Sequence, residues 1–270
     1  MTSVNPPCLA HAISAAHLAG EVLLRHFRKL TPGQVAEKEV NDWVTAADRE
    51  AEAAITSYLA QVTPDIGILA EEGGASGSRA SRWVIDPLDG TTNFLRGFPH
   101  FAVSIALLND DRIEVGVVHD PLRGETYTAA AGGGAACNGR PIRVSGRPTL
   151  RGAFVTTGFP FRVHPVLETY LEVFRRVFVR AAAIRRPGAA ALDLAHTAAG
   201  IFDGFFEFTL APWDIAAGAL LVREAGGVIS NLDGDDDVLT RGNVVAGTPA
   251  VHAELIALIS PVCRDADLSR

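Results

Sequence analysis

The chain reads as a layered α/β or α+β fold, and three observations predict it. Apolar runs of strand length recur from Ile66 to Ala129, punctuated by turn residues. Two segments before them carry apolar residues at helical spacing. After Arg151, strand-like and helix-like segments alternate. Composition agrees: 270 residues with 48% hydrophobic and 20% charged side chains can bury one large core or two closely packed ones.

Residues 8–28 place Leu9, Ile13, Ala16, Gly20, Leu23 and Phe27 on one helical face. Thr31–Asn41 is polar, a loop or ragged hairpin. Asp48 opens a second helix through Tyr58 and Leu59, with Glu50 and Glu52 early, where acids suit the helix dipole; Pro64 ends it. Ile66–Ala70 is a short strand that delivers Glu71 and Glu72, and Gly73–Ser81 reads as a mobile surface loop. Strands follow at Trp83–Ile85, Phe101–Leu108, Ile113–His119 and Glu125–Ala129. Gly132–Gly134 is a hairpin loop and Asn138-Gly139 a turn. A soft boundary near Ser145–Arg151 separates subdomains 1–150 and 151–270. The second begins with a strand at Ala153–Thr157 and a helix at Pro165–Val179, with Leu167, Leu171, Phe174 and Phe178 facing inward. A small-residue helix (Ala189–Ala199), a strand (Phe202–Phe208) and a helix (Pro212–Ala225) stopped by Gly226-Gly227 follow. Val228–Ser230 and Val244–Ala246 are short strands.

Several function classes are excluded early. A formal net charge of −7 argues against general nucleic-acid binding, which needs a basic surface. Three widely spaced cysteines without a CxxC predict reduced thiols in a cytoplasmic protein. Eight histidines show no HxH or HExxH spacing, which argues against zinc. No basic N-terminal region precedes an apolar run, and no apolar stretch approaches a membrane span, so neither a signal peptide nor a membrane partner is expected.

The chemistry concentrates in Trp83-Val84-Ile85-Asp86-Pro87-Leu88-Asp89-Gly90-Thr91-Thr92-Asn93-Phe94. An apolar strand feeds two carboxylates, three residues apart, into a tight turn. Carboxylates at the end of a buried strand are costly unless something positive compensates them. A hard divalent cation such as Mg²⁺ is the usual compensation, since it takes oxygen ligands from carboxylates, carbonyls and water. Pro87 fixes φ, so the Leu88 carbonyl can turn inward between the acids. Gly90-Thr91-Thr92 then offers N–H groups and a hydroxyl where a helix could begin, which suits a phosphate. Metal and phosphate sites in one turn point to phosphoryl chemistry. Downstream, Asp214 in Ala211-Pro212-Trp213-Asp214-Ile215-Ala216-Ala217-Gly218 sits at a helix start. Taken alone it reads as a dipole partner; beside the Asp86/Asp89 turn it becomes a candidate ligand.

These segments resemble the inositol monophosphatase family. WVIDPLDGTTNF is similar to its first signature and PWDIAAGALLVREAGG to its second. Glu71-Glu72 occupies the place of the family's Glu-Glu pair, and Val44-Thr45-Ala46-Ala47-Asp48 that of its Val-Thr-x-x-Asp segment. Four motifs in the right order, from about Lys38 to Ala246, are more specific than any one. The resemblance implies an α-β-α-β-α sandwich, a homodimer, lithium sensitivity and Mg²⁺-dependent hydrolysis of a phosphate monoester with two or three ions per site. It assigns Glu71, Asp86 and the Leu88 carbonyl to one metal, and Asp86, Asp89 and Asp214 to a second. Thr91 would position the attacking water, with Asp48 accepting from its hydroxyl, and Glu71 would take the proton. Gly188-Ala189-Ala190 and Glu207 match the family's substrate pocket, with Asp89, Gly90, Thr91, Thr92 and Asp214 completing the substrate-binding set. Ala189 replaces the family's usual hydroxyl residue.

Blander readings stand beside these. Asp48 could simply cap its helix. Glu72 reads as a solvated strand-end acid rather than a ligand. Asp235-Asp236-Asp237 lacks calcium-loop spacing and reads as a solvated turn. Lys38 reads as a surface charge, Arg162 resembles part of a bacterial substrate loop, and Trp43 replaces the family's commoner Leu. The resemblance favours inositol 1-phosphate among small phosphorylated polyols. Histidinol phosphate, fructose 1,6-bisphosphate and 3′-phosphoadenosine 5′-phosphate are the runners-up on the same scaffold. A regulatory binding protein with a vestigial site is the non-enzymatic alternative.

Overall fold

Small apolar residues set the character of the first helix, α1 (Pro6–His26), whose Ala12, Ala15, Ala16, Ala19 and Leu23 are completely buried. In this computed structural model, which describes residues 6–39, 42–160, 166–264 and 268, the polar stretch that follows is a hairpin. Its strands are β1 (Val35–Glu39) and β2 (Asp42–Thr45). Helix α2 (Ala46–Val62) begins two residues before the predicted Asp48, because Thr45 is the N-cap and Asp48 closes a capping box from inside the first turn.

The next strands are β3 (Gly67–Ala70), β4 (Gly74–Ser76), β5 (Ser81–Asp89), β6 (Ala102–Asn109), β7 (Arg112–Asp120), β8 (Glu125–Ala130), β9 (Gly134–Cys137) and β10 (Arg140–Pro141). They form one sheet in the order β10-β9-β8-β7-β6-β5-β3-β4. Part of the expected Gly73–Ser81 loop is therefore an edge strand, β4, antiparallel to β3. Its Gly and Ser residues pair through backbone alone, which composition cannot reveal. The sheet is antiparallel except for β3 beside β5, and the β5–β6 register shifts between Asp86 and Asp89. That bulge accommodates Pro87, which has no N–H for the ladder.

The second half contributes β11 (Phe154–Thr157), β12 (Ala183–Arg185), β13 (Gly204–Glu207), β14 (Val228–Ser230) and β15 (Val244–Gly247), in the order β12-β11-β13-β15-β14. The helices after α2 are α3 (Thr91–Leu95), α4 (Leu167–Phe178), α5 (Ala190–Ala198), α6 (Pro212–Glu224), α7 (Val238–Arg241) and α8 (Pro249–Cys263).

Burial shows how the layers stack. Trp83 and Ile85 of β5 join a core with α1 and α2, whereas Val84 points the other way into a core with α5 and α6. This is the two-residue alternation of a strand covered on both faces. That second core also takes Phe205 and Ala246 of the five-stranded sheet, so α5 and α6 lie between the sheets. Val155, Phe206 and Val245 face α4 and α8 on the outer side. The order is α-β-α-β-α. Small residues permit the middle layer: a Cβ at Gly218 of α6 would lie 2.5 Å from Leu194 Cβ of α5.

Two expectations fail. The inward face of α4 is Tyr170, Val173 and Val177, with Phe174 half-buried, while Leu167, Leu171 and Phe178 are exposed. The helix carries two parallel apolar lanes, and periodicity alone cannot tell which one the sheet covers. Second, Pro7–His26 is long and apolar enough by composition to cross a membrane, with mean hydropathy 1.3. In this fold its alanines pack against α2 and β6–β8, the behaviour of a core helix.

Candidate active site

The bulge in β5 aims its carboxylates into a cleft of about 360 Å³, lined among others by Glu71, Asp86, Leu88, Asp89, Thr91, Glu207 and Asp214. Asp86 is buried, and its Oδ1 accepts from the Leu88 N–H at 2.9 Å, folding the chain around Pro87. Glu71 follows β3, which runs parallel to β5, and its N–H donates to the Ile85 carbonyl at 3.1 Å. It lines the cleft. Glu72 does not; its N–H donates to Glu52 Oε2 at 2.8 Å.

Asp89 reaches further. Its two carboxylate oxygens accept from Ala190 N at 3.2 Å and Ala191 N at 2.8 Å, the first amides of α5. The N-cap of α5, Ala189, has no side-chain acceptor, so Asp89 caps that helix from 101 residues away. Ala189 is buried with its Cβ toward Gly90, while Gly188 and Ala190 on either side of it line the cleft.

Asp214 sits in the first turn of α6, where its Oδ2 accepts from Ala211 N at 2.7 Å. Ser104 of β6 donates to the Trp213 carbonyl at 2.9 Å, pinning that turn to the first sheet. Gly90 occupies the left-handed region (φ +92°), and a Cβ there would press on the His100 and Gly188 carbonyls. From this hinge α3 starts, bringing Thr91 and Thr92 to the cleft. The Thr91 hydroxyl lies 3.1 Å from the Leu88 carbonyl and 3.2 Å from Asp48 Oδ1.

The electrostatics follow from this crowding. Burial, then the charges of Glu71, Asp89 and Asp214, hold the Asp86 carboxyl well above the usual range. Burial and Asp214 do the same to Asp89. Burial raises Asp48 to about 6 despite its hydrogen bonds from Thr45. Glu207 is likewise raised, by burial first and then by Asp193. Among the described residues no three His, Cys, Asp or Glu side chains stand grouped so as to hold a metal ion; the carboxylates line the cleft, several turned toward backbone donors. The donor chemistry fits a hard divalent cation: oxygen ligands only, and mutual repulsion that a cation would relieve.

Sequence reasoning missed several residues here. Asn93 Nδ2 reaches the carbonyls of His100 (2.8 Å), Pro187 (2.9 Å) and Gly188 (3.2 Å), tying α3 to the turn before α5. Trp43, Phe159, Arg186 and Trp213 also line the cleft. The only signal for Asn93 was its place at the end of the Gly-Thr-Thr run. The side chain of Lys38 and residue Arg162 lie outside the described residues.

The sequence profile of the inositol monophosphatase family matches residues 5–263. The chain belongs to the inositol monophosphatase family. It is 50% identical to a protein of Pseudomonas aeruginosa named Nus factor SuhB, covering 94% of this chain and 96% of that relative. Among solved structures, the extragenic suppressor protein suhB of Bartonella henselae superimposes with a TM-score of 0.91 at 42% identity, over 94% of this chain and 98% of that one. The inositol monophosphatase of Anabaena gives a TM-score of 0.85 at 36% identity, over 95% and 96% of the two chains. The layered α/β fold is that of these family members.

Proposed function

We propose that the protein hydrolyses a small phosphate monoester with the help of Mg²⁺, and that inositol 1-phosphate is its preferred ester. The observation that carries this reading is the meeting of Glu71, Asp86, Asp89 and Asp214 around one cleft. These acids come from three distant segments, and nothing in the packing of a core calls for them there.

Glu71, Asp86 and the Leu88 carbonyl would hold one ion, and Asp86, Asp89 and Asp214 a second, with room in the proposal for a third near Glu71. Bound Mg²⁺ supplies a water of lowered pKa and neutralises charge on the departing ester oxygen. The chain's own residues do the rest. Thr91 donates its proton inward to Asp48 or Leu88, so its oxygen lone pairs can orient the attacking water. Glu71 takes that water's proton. The N–H groups of Gly90, Thr91 and Thr92 face the phosphate, and Glu207 accepts from a hydroxyl of the alcohol portion. Free, unpaired cysteines at 8, 137 and 263 suit a reducing cytoplasm. A homodimer and lithium inhibition complete the proposal by family analogy.

The decisive assay is Mg²⁺-dependent phosphate release from inositol 1-phosphate, wild type against Asp89→Ala. Activity that survives the substitution undiminished removes the metal assignment. The name Nus factor borne by the Pseudomonas relative favours a second reading, a regulatory binding role. The intact carboxylate set argues for hydrolysis first; a wild-type protein with no activity on any ester at saturating Mg²⁺ would reverse that order.

A further inference from the structure

Arg186 is the one cationic side chain among the described residues lining a cleft that carries Glu71, Asp86, Asp89, Glu207 and Asp214. The guanidinium carbon lies 5.2 Å from the centroid of the Phe159 ring, a cation–π geometry. Gly188 leaves it room: a Cβ there would come within 2.7 Å of the Arg186 Nη1. Gly188 also has φ +93°, a conformation that disfavours a side chain, so the space beside the guanidinium stays clear.

We infer that Arg186 is a specificity-determining residue, pairing with Glu207 to read adjacent hydroxyls of a neutral polyol phosphate and to reject esters whose alcohol portion is cationic. The inference rests on the phosphatase reading above and names which part of the site selects the substrate. Each hydroxyl of a polyol is both donor and acceptor. An ionised carboxylate only accepts, and a guanidinium only donates in a rigid fork. Two neighbouring hydroxyls therefore need one group of each kind, and the cleft wall supplies Glu207 and Arg186. Burial and the neighbouring acids hold the Glu207 carboxyl well above the usual range, and Arg186 is the one charge that opposes them in favour of the accepting carboxylate. The aromatic faces of Phe159 and Trp213 line the same cleft and suit the C–H face of a ring. An ammonium or imidazolium ester would meet the guanidinium as a like charge. The four acids at the metal end would be occupied by cations, which leaves Glu207, already set against the Arg186 charge, as the one lining acid to face it.

The test compares inositol 1-phosphate, histidinol phosphate and 4-nitrophenyl phosphate, which has neither hydroxyls nor a cation. For Arg186→Met, kcat/KM on the inositol ester should fall about ten- to a hundredfold further than on 4-nitrophenyl phosphate, mainly through KM, the size of a lost charged hydrogen bond. Histidinol phosphate should gain relative to 4-nitrophenyl phosphate. Arg186→Lys keeps the charge and guards against a folding defect. It should retain rejection of the cationic ester while restoring the inositol ester only in part. A common fall on all three esters, or ratios within about twofold of wild type, overturns the assignment. Calorimetric binding of inositol 1-phosphate to wild type and R186M reads the same contact without turnover: equal affinities overturn it, and a loss of about tenfold or more supports it even if the hydrolase reading fails.

Discussion

Asp48 accepts from the Thr91 hydroxyl at 3.2 Å across 43 residues of sequence, while its other oxygen accepts from Thr45 N at 2.9 Å. The two readings of this acid, helix cap and partner of Thr91, are thus both true, one through each carboxylate oxygen. A buried acid with every oxygen engaged is a rigid support. Removing the hydroxyl it holds (Thr91→Val) should lower kcat by about a hundredfold, the lower end for a positioned proton-handling group. KM for the ester should change little. Steady-state kinetics at saturating Mg²⁺ check this, and an unchanged kcat would separate Thr91 from the reaction.

Asp48 also sets a pH dependence. Burial raises its carboxyl from 3.8 to about 6, so on acidification it takes up a proton in the folded protein before it would in the unfolded chain. Its contribution to stability is full below its unfolded pKa and is lost as pH rises through about 6. Catalysis runs the other way, because only the carboxylate can accept from Thr45 and Thr91 together. The expected pH–rate profile at saturating Mg²⁺ falls below about pH 6, and Asp48→Asn should abolish that limb from a lower plateau. An acid limb that D48N leaves in place would assign it elsewhere.

The raised carboxyls of Asp86 and Asp89 make metal binding pH-dependent with the same sense. Both must be ionised to bind a cation, so each proton displaced weakens apparent affinity at low pH. The rise in Tm produced by a fixed Mg²⁺ concentration should be larger at pH 8 than at pH 6. Burial lowers His119 and His196 to about 4. Their stabilising effect is lost only as pH falls from about 6.5, so it does not oppose the trend above that pH. Scanning calorimetry with and without Mg²⁺ measures the difference; equal increments at both pH values would contradict it.

Asp89 serves two ends, and the two can be told apart by substitution. Asp89→Asn keeps an acceptor for an α5 amide and removes a charge that Asp214 repels, so the metal-free variant should melt no lower than wild type. Asp89→Ala loses both α5 acceptors and should be about 1 kcal/mol less stable than D89N, the cost of a missing N-cap. Both should lose more activity than the ten- to hundredfold typical of a group that merely supports a ligand. A D89A variant as stable as D89N would show that α5 needs no cap from the β5 turn.

What the sequence revealed, it revealed through local chemistry. Asp86, Asp89 and Thr91 announce themselves because carboxylates and hydroxyls crowd one turn, and α6 is legible from Pro212 to Gly226. What it hid is set by distance. Nothing local to Ala190 says that its amide meets Asp89, and nothing in Arg186 says that Phe159 lies beneath it. The two lanes of α4 are equally apolar, so Leu171 and Val173 exchange places in the expectation. Helix α8 went unread: Thr248 accepts from Val251 N to cap it, but Pro261 within its last turn masks the pattern.

Gly158 offers a test of the substrate end that leaves the metal end alone. A Cβ built there overlaps the Glu207 carboxylate, so the side chain of Glu207 keeps its place only because residue 158 has none. Thr157, the last residue of β11, pairs with Phe206 of β13, which fixes the backbone on both sides of this contact. Backbone adjustment is therefore restricted, and in Gly158→Ala the carboxylate must move. If Glu207 accepts from the alcohol portion of the ester, KM for inositol 1-phosphate should rise by about tenfold, the worth of one lost charged hydrogen bond. The Mg²⁺ requirement should stay as in wild type, since the atoms nearest a Cβ at residue 158 all belong to Glu207. A matching loss on 4-nitrophenyl phosphate would mean that the displaced carboxylate disturbs the reacting centre itself, and Glu207 would then belong to the chemistry rather than to recognition of the alcohol.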